Sequence, residues 1–206
     1  MGAMQIFAQS PLDVPAAARV LATAFAADPP VASLLPKRGE PEERLTHKFV
    51  KALEACDGER IICDVALDGD RFLGVSIWHS PEDQPGPWWH EIAQIPEYLR
   101  VYGHRVVDAI RCDIELVKVR PRKPHWYLTF VGAHPDARGT GVGSALMRHR
   151  LDRADRDGVG AYLESSSRPN AAYYERFGFK DHGEIKSYGS PATIAMWRDP
   201  QLPGTS

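Results

Sequence analysis

The residues best suited to chemistry in this chain are Arg138-Gly139-Thr140-Gly141-Val142-Gly143-Ser144, because of what lies on either side of them. Upstream, His125–Val131 is rich in aromatic and branched residues and reads as a buried strand. Downstream, Ser144–Arg150 is made of helix formers. A strand, a glycine-rich turn and a helix in that order make an anion site. Glycines let the backbone approach a ligand closely, and a helix N-terminus supplies free N–H donors and a partial positive charge. The natural guest is a phosphate or pyrophosphate. Spacing excludes two common phosphate loops. The NTPase type needs Lys then Ser or Thr after its last glycine, where this chain has Ser144-Ala145. The dinucleotide fingerprint G-x-G-x-x-G fails because Ser144 stands where the third glycine should be.

A second set of chemically able side chains follows about 30 residues later. Ala161–Ser166 reads as a short strand carrying Glu164. Asn170–Phe179 reads as a short helix carrying Tyr173 and Tyr174 and ended by Gly178, a residue suited to the left-handed helix end. The run Ser165-Ser166-Ser167 lacks the G-x-S-x-G surroundings of a nucleophile and is expected to be a solvated loop. The eight histidines show no H-x-x-x-H or H-E-x-x-H spacing, so no metal site is expected.

The two segments together, Arg138-x-x-Gly141-x-Gly143 and Asn170-x-x-x-Tyr174-Glu175-x-x-Gly178-Phe179, span about residues 125–180 and resemble the paired motifs of the GNAT acyltransferases, which bind acetyl-CoA. The resemblance implies an α/β, single-domain GNAT fold: a mixed, mostly antiparallel sheet with a splayed central strand and helices on both faces. It implies that Arg138, Gly139, Thr140, Gly141, Val142, Gly143 and Ser144 hold the pyrophosphate. Val131 and Ala133 would offer backbone groups to the pantetheine arm and thioester. Gly132 between them would mark the bulge that splays the strand, or else simply permit close packing. Asn170 would bind the pantetheine arm or cap its helix. Tyr174 takes the family's position for the phenol that protonates the departing thiolate, with Tyr173 as packing. Glu164 would accept the amine proton, directly or through a water. A structural, salt-bridged Glu164 stays open, with Glu91 as the runner-up base. Asp13-Val14-Pro15, Ala24-Phe25-Ala26 and Leu163-Glu164-Ser165-Ser166 with Arg168 and Asn170 are further similar to the puromycin N-acetyltransferase-like actinobacterial members, an antibiotic-resistance type.

These residues must be positioned by a surrounding fold, which the rest of the sequence sketches. The chain has 206 residues, 43% of them hydrophobic, enough for one domain over 1–206 with a core at about 4–200. Gln5–Ala8 reads as a first strand. Ser10-Pro11-Leu12-Asp13 reads as the capped start of a helix that runs to about Ala27 and stops before Asp28-Pro29-Pro30. A second helix, about Pro41–Ala55, carries Leu45, Phe49 and Leu53 as a buried stripe. Arg60–Ala66 and Phe72–Trp78 flank Asp68-Gly69-Asp70, a strong hairpin turn. Pro81–Pro87 breaks regular structure. Helices are expected at about Trp88–Val101 and Val106–Val119, and a terminal strand pair at Lys180–Lys186 and Thr193–Trp197.

Composition narrows the function classes. A net charge of -2 supplies no field for nucleic acid or an anionic membrane. No apolar run reaches the roughly 18 residues of a membrane span, and no export signal opens the chain, so a cytoplasmic protein is expected. Cys56, Cys63 and Cys112, odd in number and widely spaced, suit free or buried thiols. The activity that the resemblance implies is acetyl transfer from acetyl-CoA to a primary amine of a small molecule, by direct transfer in a ternary complex. Protein N-termini or lysines are the alternative acceptors, and a non-catalytic acyl-CoA-binding module is the rival from another class. The Pro81–Pro87 segment with Trp88-Trp89 suits the wall of an amine pocket, and equally a homodimer contact.

Overall fold

Asp13 starts the first helix. Its carboxylate accepts the Ala16 N–H at 2.8 Å and Pro15 falls in the first turn, so α1 runs Val14–Phe25. The expected cap at Ser10 lies outside the described residues, which are 4–8, 13–83, 95–186 and 190–201 of this computed structural model. The chain does not simply stop at Asp28-Pro29-Pro30. Asp28 caps Val31, the two prolines take the first helical positions, where a missing N–H costs nothing, and a short helix α2 forms over Pro29–Leu34. Helix α3, Pro41–Glu54, buries Leu45, Phe49 and Leu53 on one stripe, as their spacing requires. Two more helices follow, α4 at Ile95–Tyr102 and α5 at Val106–Val119. The part of the expected helix that precedes residue 95, with Trp88-Trp89, lies outside the described residues.

The strands are β1 (Gln5–Ala8), β2 (Ile61–Asp68), β3 (Arg71–His79), β4 (Trp126–Ala133), β5 (Ala161–Ser165), β6 (Lys180–Ile185) and β7 (Thr193–Arg198). They form one sheet in the order β1-β2-β3-β4-β5-β7-β6. Asp68 pairs with Arg71 across Gly69-Asp70, and Gly69 has φ +60°, which the tight turn demands. Every described pairing is antiparallel except β4 with β5. A parallel pair needs a crossover, and helix α6 (Val142–Arg156) supplies it. Helix α7, Arg168–Glu175, then joins β5 to the closing β6–β7 pair.

Helices cover both faces. On one, α1, α3, α4 and α5 pack through Leu21, Phe49, Val101 and Cys112 onto Val65, Val75 and Ile77. On the other, Met147 and Leu151 of α6 and Ala171 of α7 pack onto Trp78, Trp126, Leu128 and Leu163. The crossover helix is also tied to the sheet by charge. Arg150 Nε donates to Asp64 Oδ2 at 3.0 Å, its Nη2 to Oδ1, and its guanidinium lies 5.1 Å from the Trp126 ring. The three cysteines are buried, and none is in a disulfide. Among the described residues no helix is long and apolar enough to cross a membrane.

Candidate active site

The site begins where β4 and β5 part. They pair only at Trp126–Ala161, Tyr127–Tyr162 and Leu128–Leu163. On its other edge β4 stays paired with β3 as far as Ala133 opposite Gly74. The irregularity that releases β4 is at Thr129. Ile77 faces Phe130 and Trp78 faces Leu128, so Thr129 is an extra residue with no partner across the ladder. The bulge is therefore not at Gly132, which pairs in register with Val75. A Cβ on Gly132 would stand 2.9 Å from the Ala24 Cβ and 3.2 Å from Leu21 Cδ2, so this glycine lets α1 lie against the strand. The close-packing alternative is the one realised. His134 N–H donates to Leu73 C=O on β3 at 2.8 Å. Strand alternation then turns the peptide groups of Val131 and Ala133 toward the open fork.

The glycine turn closes the far end of β4. Gly139 and Gly141 have φ of +77° and +89°, and a Cβ on either would meet nothing within 4 Å. Gly141 is the N-cap of α6 and provides no side-chain hydrogen bond, so the first-turn N–H groups of Val142, Gly143 and Ser144 have no intrahelical acceptor. Thr140 Oγ1 donates to Ala137 C=O at 2.7 Å and braces the turn. Gly143 is small for another reason: a Cβ there would lie 3.0 Å from the Tyr173 hydroxyl, which also sits 3.5 Å from Ser144 Oγ. Arg138 is exposed beside the turn and forms no ion pair among the described residues. Together these backbone groups can hold an anion.

Between turn and fork lies a cleft of about 140 Å³, bordered by Phe25, Asp28, Thr129, Glu164, Asn170 and Tyr174. The serine run beside it is structural rather than a solvated loop. Ser165 is buried at the end of β5, and Ser167 is the N-cap of α7, accepting the Asn170 N–H at 3.3 Å. Asn170 is thus not the cap, and its side-chain amide donates to Ser166 Oγ at 2.9 Å. Ser166 borders the same cleft as the Asp28 carboxylate. Tyr174, half-buried, packs edge-on between Tyr173 and Phe179 at centroid distances of 5.3 and 6.2 Å. Burial, with Tyr173 and then Asp28 nearby, pushes its phenol above the ordinary tyrosine value, so it stands as a proton-bearing donor.

Glu164 does face the cleft, and it is not alone there. Arg120, just beyond the end of α5, places Nε 3.2 Å from Glu164 Oε1, with the carboxylate side chain 7% exposed. Arg120 Nη2 also donates to the Tyr127 hydroxyl at 2.7 Å, and its guanidinium lies 4.0 Å from that ring's centroid. Burial first, then Glu164, lifts the neighbouring Tyr162 phenol well above its usual range. Sequence reasoning missed Arg120 because a lone arginine before a proline carries no motif. It missed Asp28 as a site residue because Asp-Pro-Pro was read only as a stop. The capping signal was present, and α2 is what aims that carboxylate inward. Glu91 lies outside the described residues, and among those residues no cluster of His, Cys, Asp and Glu suits a metal.

A half-parted parallel strand pair, an uncapped glycine turn at the crossover helix and a half-buried tyrosine at the fork are parts from which an acyl-transfer site can be built. The sequence profile of the acetyltransferase (GNAT) family matches residues 32–179, and the chain belongs to that family. It is an acetyl-CoA-dependent N-acetyltransferase. A curated relative, an uncharacterized N-acetyltransferase of Schizosaccharomyces pombe, is 26% identical over 182 residues, covering 81% of this chain and 70% of its own. A solved Corynebacterium glutamicum protein, described as histone acetyltransferase HPA2 and related acetyltransferase, is 30% identical. The match covers 98% of this chain and 99% of that one at a TM-score of 0.72. A mosquito arylalkylamine N-acetyltransferase-like protein is 16% identical over 96% of this chain and 100% of its own, TM-score 0.61, and shares the fold.

Proposed function

We propose that this enzyme moves the acetyl group of acetyl-CoA directly onto the primary amine of a small molecule, both substrates being bound together. The carrying observation is the cleft at the β4–β5 fork, with the Tyr174 phenol and the carboxylates of Glu164 and Asp28 around one small volume. Acetyl transfer to an amine needs a held carbonyl, a nitrogen with a free lone pair and a proton for the leaving thiolate. The Arg138–Ser144 turn binds the pyrophosphate. The open peptide edges of Val131 and Ala133, with Gly132 between them, receive the pantetheine arm, and Asn170 binds beside it. Tyr174 gives its proton to the thiolate. Glu164, fixed by Arg120, accepts a hydrogen bond from the neutral acceptor nitrogen and orients it. Among the described residues lining the cleft none is a thiol, and Ser166 has no histidine beside it there to activate it, which favours direct transfer over a covalent relay.

A panel of amines, including amine-bearing antibiotics of the puromycin type, tests this by release of free thiol. Intersecting double-reciprocal plots are expected; parallel plots would indicate a covalent acetyl-enzyme instead. A second reading takes protein amines as acceptors, and the likeness to the Corynebacterium histone acetyltransferase HPA2 and related acetyltransferase favours it. Turnover of histone-tail peptides with none of the small amines would establish that reading in place of ours.

A further inference from the structure

We infer that Asp28, rather than Glu164, receives the proton that the acceptor amine sheds. The inference rests on the transfer reaction proposed above and deepens it. Both carboxylates border the same cleft, but their surroundings differ. Glu164 already has a cation: Arg120 at 3.2 Å, itself fixed by the Tyr127 hydroxyl. A proton added to Glu164 would leave that largely buried guanidinium without its counter-charge, which is the costly way to break a buried pair. Asp28 has no cationic partner among the described residues. Its described hydrogen bond comes from a neutral donor, the Val31 N–H at 3.5 Å, and the neutral Ser166 hydroxyl borders the same cleft. Ser166 is itself held by Asn170 at 2.9 Å, and the Asp28 cap at the start of α2 holds the aspartate at the fork.

The groups facing Asp28 are Tyr174 from α7 and Glu164 and Ser166 from the β5 side, with Arg120 behind Glu164. None is a cation in contact with it. Burial raises the Asp28 carboxyl from its ordinary value, against the lowering effects of Ser166 and Val31, which moves its proton affinity toward what a base at neutral pH needs. The step balances. The amine nitrogen's lone pair forms the new C–N bond while the carbonyl carbon's bond to sulfur breaks. One N–H proton passes to the Asp28 carboxylate, and the thiolate takes a proton from the Tyr174 phenol. The phenolate is then reprotonated from the solvent-open cleft, to which Asp28 also releases its proton.

The test compares Asp28→Asn, Asp28→Glu and Glu164→Gln on the whole chain, reading kcat against pH at saturating substrates. Wild type should lose kcat as pH falls through the raised Asp28 value. Asp28→Asn keeps a side-chain oxygen for the Val31 cap, so it should fold and bind acetyl-CoA as wild type does. Its kcat should fall by about 10²-fold or more and lose that acid limb. Asp28→Glu should restore part of both. Glu164→Gln should raise the KM for the amine and keep the limb. Retention of near-wild-type kcat and limb in Asp28→Asn, or loss of the limb in Glu164→Gln, would overturn the inference while leaving acetyl transfer standing. Should Asn unfold the protein, Asp28→Ser, also a capping residue, takes its place with the same expected loss. A wild-type protein releasing no thiol with any amine would instead remove the proposed reaction, and this inference with it.

Discussion

Tyr173 and Tyr174 are adjacent, yet they stand in different surroundings, and this allows a clean comparison. Tyr174 borders the fork, whereas the Tyr173 hydroxyl reaches over Gly143 toward Ser144. A thiolate leaves poorly unless it is protonated or held by a donor. Tyr174→Phe keeps the ring between Tyr173 and Phe179, so stability and acetyl-CoA affinity should change little while kcat falls by about 10²-fold or more. Tyr173→Phe should act on acetyl-CoA affinity and keep kcat near wild type. Steady-state kinetics of both variants decide this, and an equal loss in the two would mean the motif is aligned one residue off. Asp28 makes a separate prediction through stability. Its carboxyl is raised in the fold, so its charged form costs stability whenever both states are ionised. Asp28→Asn should therefore raise the melting midpoint at neutral pH, and the gain should vanish as pH falls below the unfolded aspartate value of about 3.9. Tyr174 and Glu164 were legible as cleft residues because each sits in a motif of fixed spacing. Arg120 was not, since its partner is 44 positions away and only the fold brings them together.

At the scale of elements, the helices and strands were readable from period and caps, while the device that opens the site was not. Gly132 looked like the bulge because a glycine interrupts an apolar run. The extra residue is Thr129, whose type says nothing about register; only the pairing of β3 with both arms of β4 reveals it. Gly132 instead reports a helix crossing. Gly132→Ala should cost about 1–3 kcal/mol through the clash with Ala24, measured by denaturant midpoint. The crossover helix depends on a pair that sequence could not match up, Asp64 with Arg150, 86 residues apart. Asp64→Ala leaves Arg150 charged and buried against Trp126, so about 3–5 kcal/mol of stability should be lost in urea unfolding. Replacing both partners by apolar residues should recover much of it, because the penalty lies in the orphaned charge more than in the lost attraction. A small loss in the single variant would mean that solvent reaches Arg150.

For the whole molecule, ligand binding and stability are linked through the same two ends of α6. The turn's unpaired N–H groups, left by Gly141 at the helix start, gain acceptors only when an anion arrives, and α6 is anchored to the sheet by Arg150. On the proposed binding, acetyl-CoA bridges turn and fork and so binds the folded chain alone. At a concentration about 100 times its Kd it should stabilise by about 2.7 kcal/mol. For a chain of this size each kcal/mol moves the midpoint by about 2–4 °C, so thermal unfolding should shift up by about 5–11 °C. ATP and NADH at the same concentration should give no comparable shift, since the turn lacks the lysine of one phosphate loop and the third glycine of the other. Gly141→Val places a branched side chain at a φ of +89° and in the open space beside the helix start. It should lower the unliganded midpoint slightly and abolish most of the acetyl-CoA shift. An intact shift in that variant would show that the coenzyme's phosphates bind elsewhere, and a larger shift with ATP than with acetyl-CoA would contradict the role given to this turn.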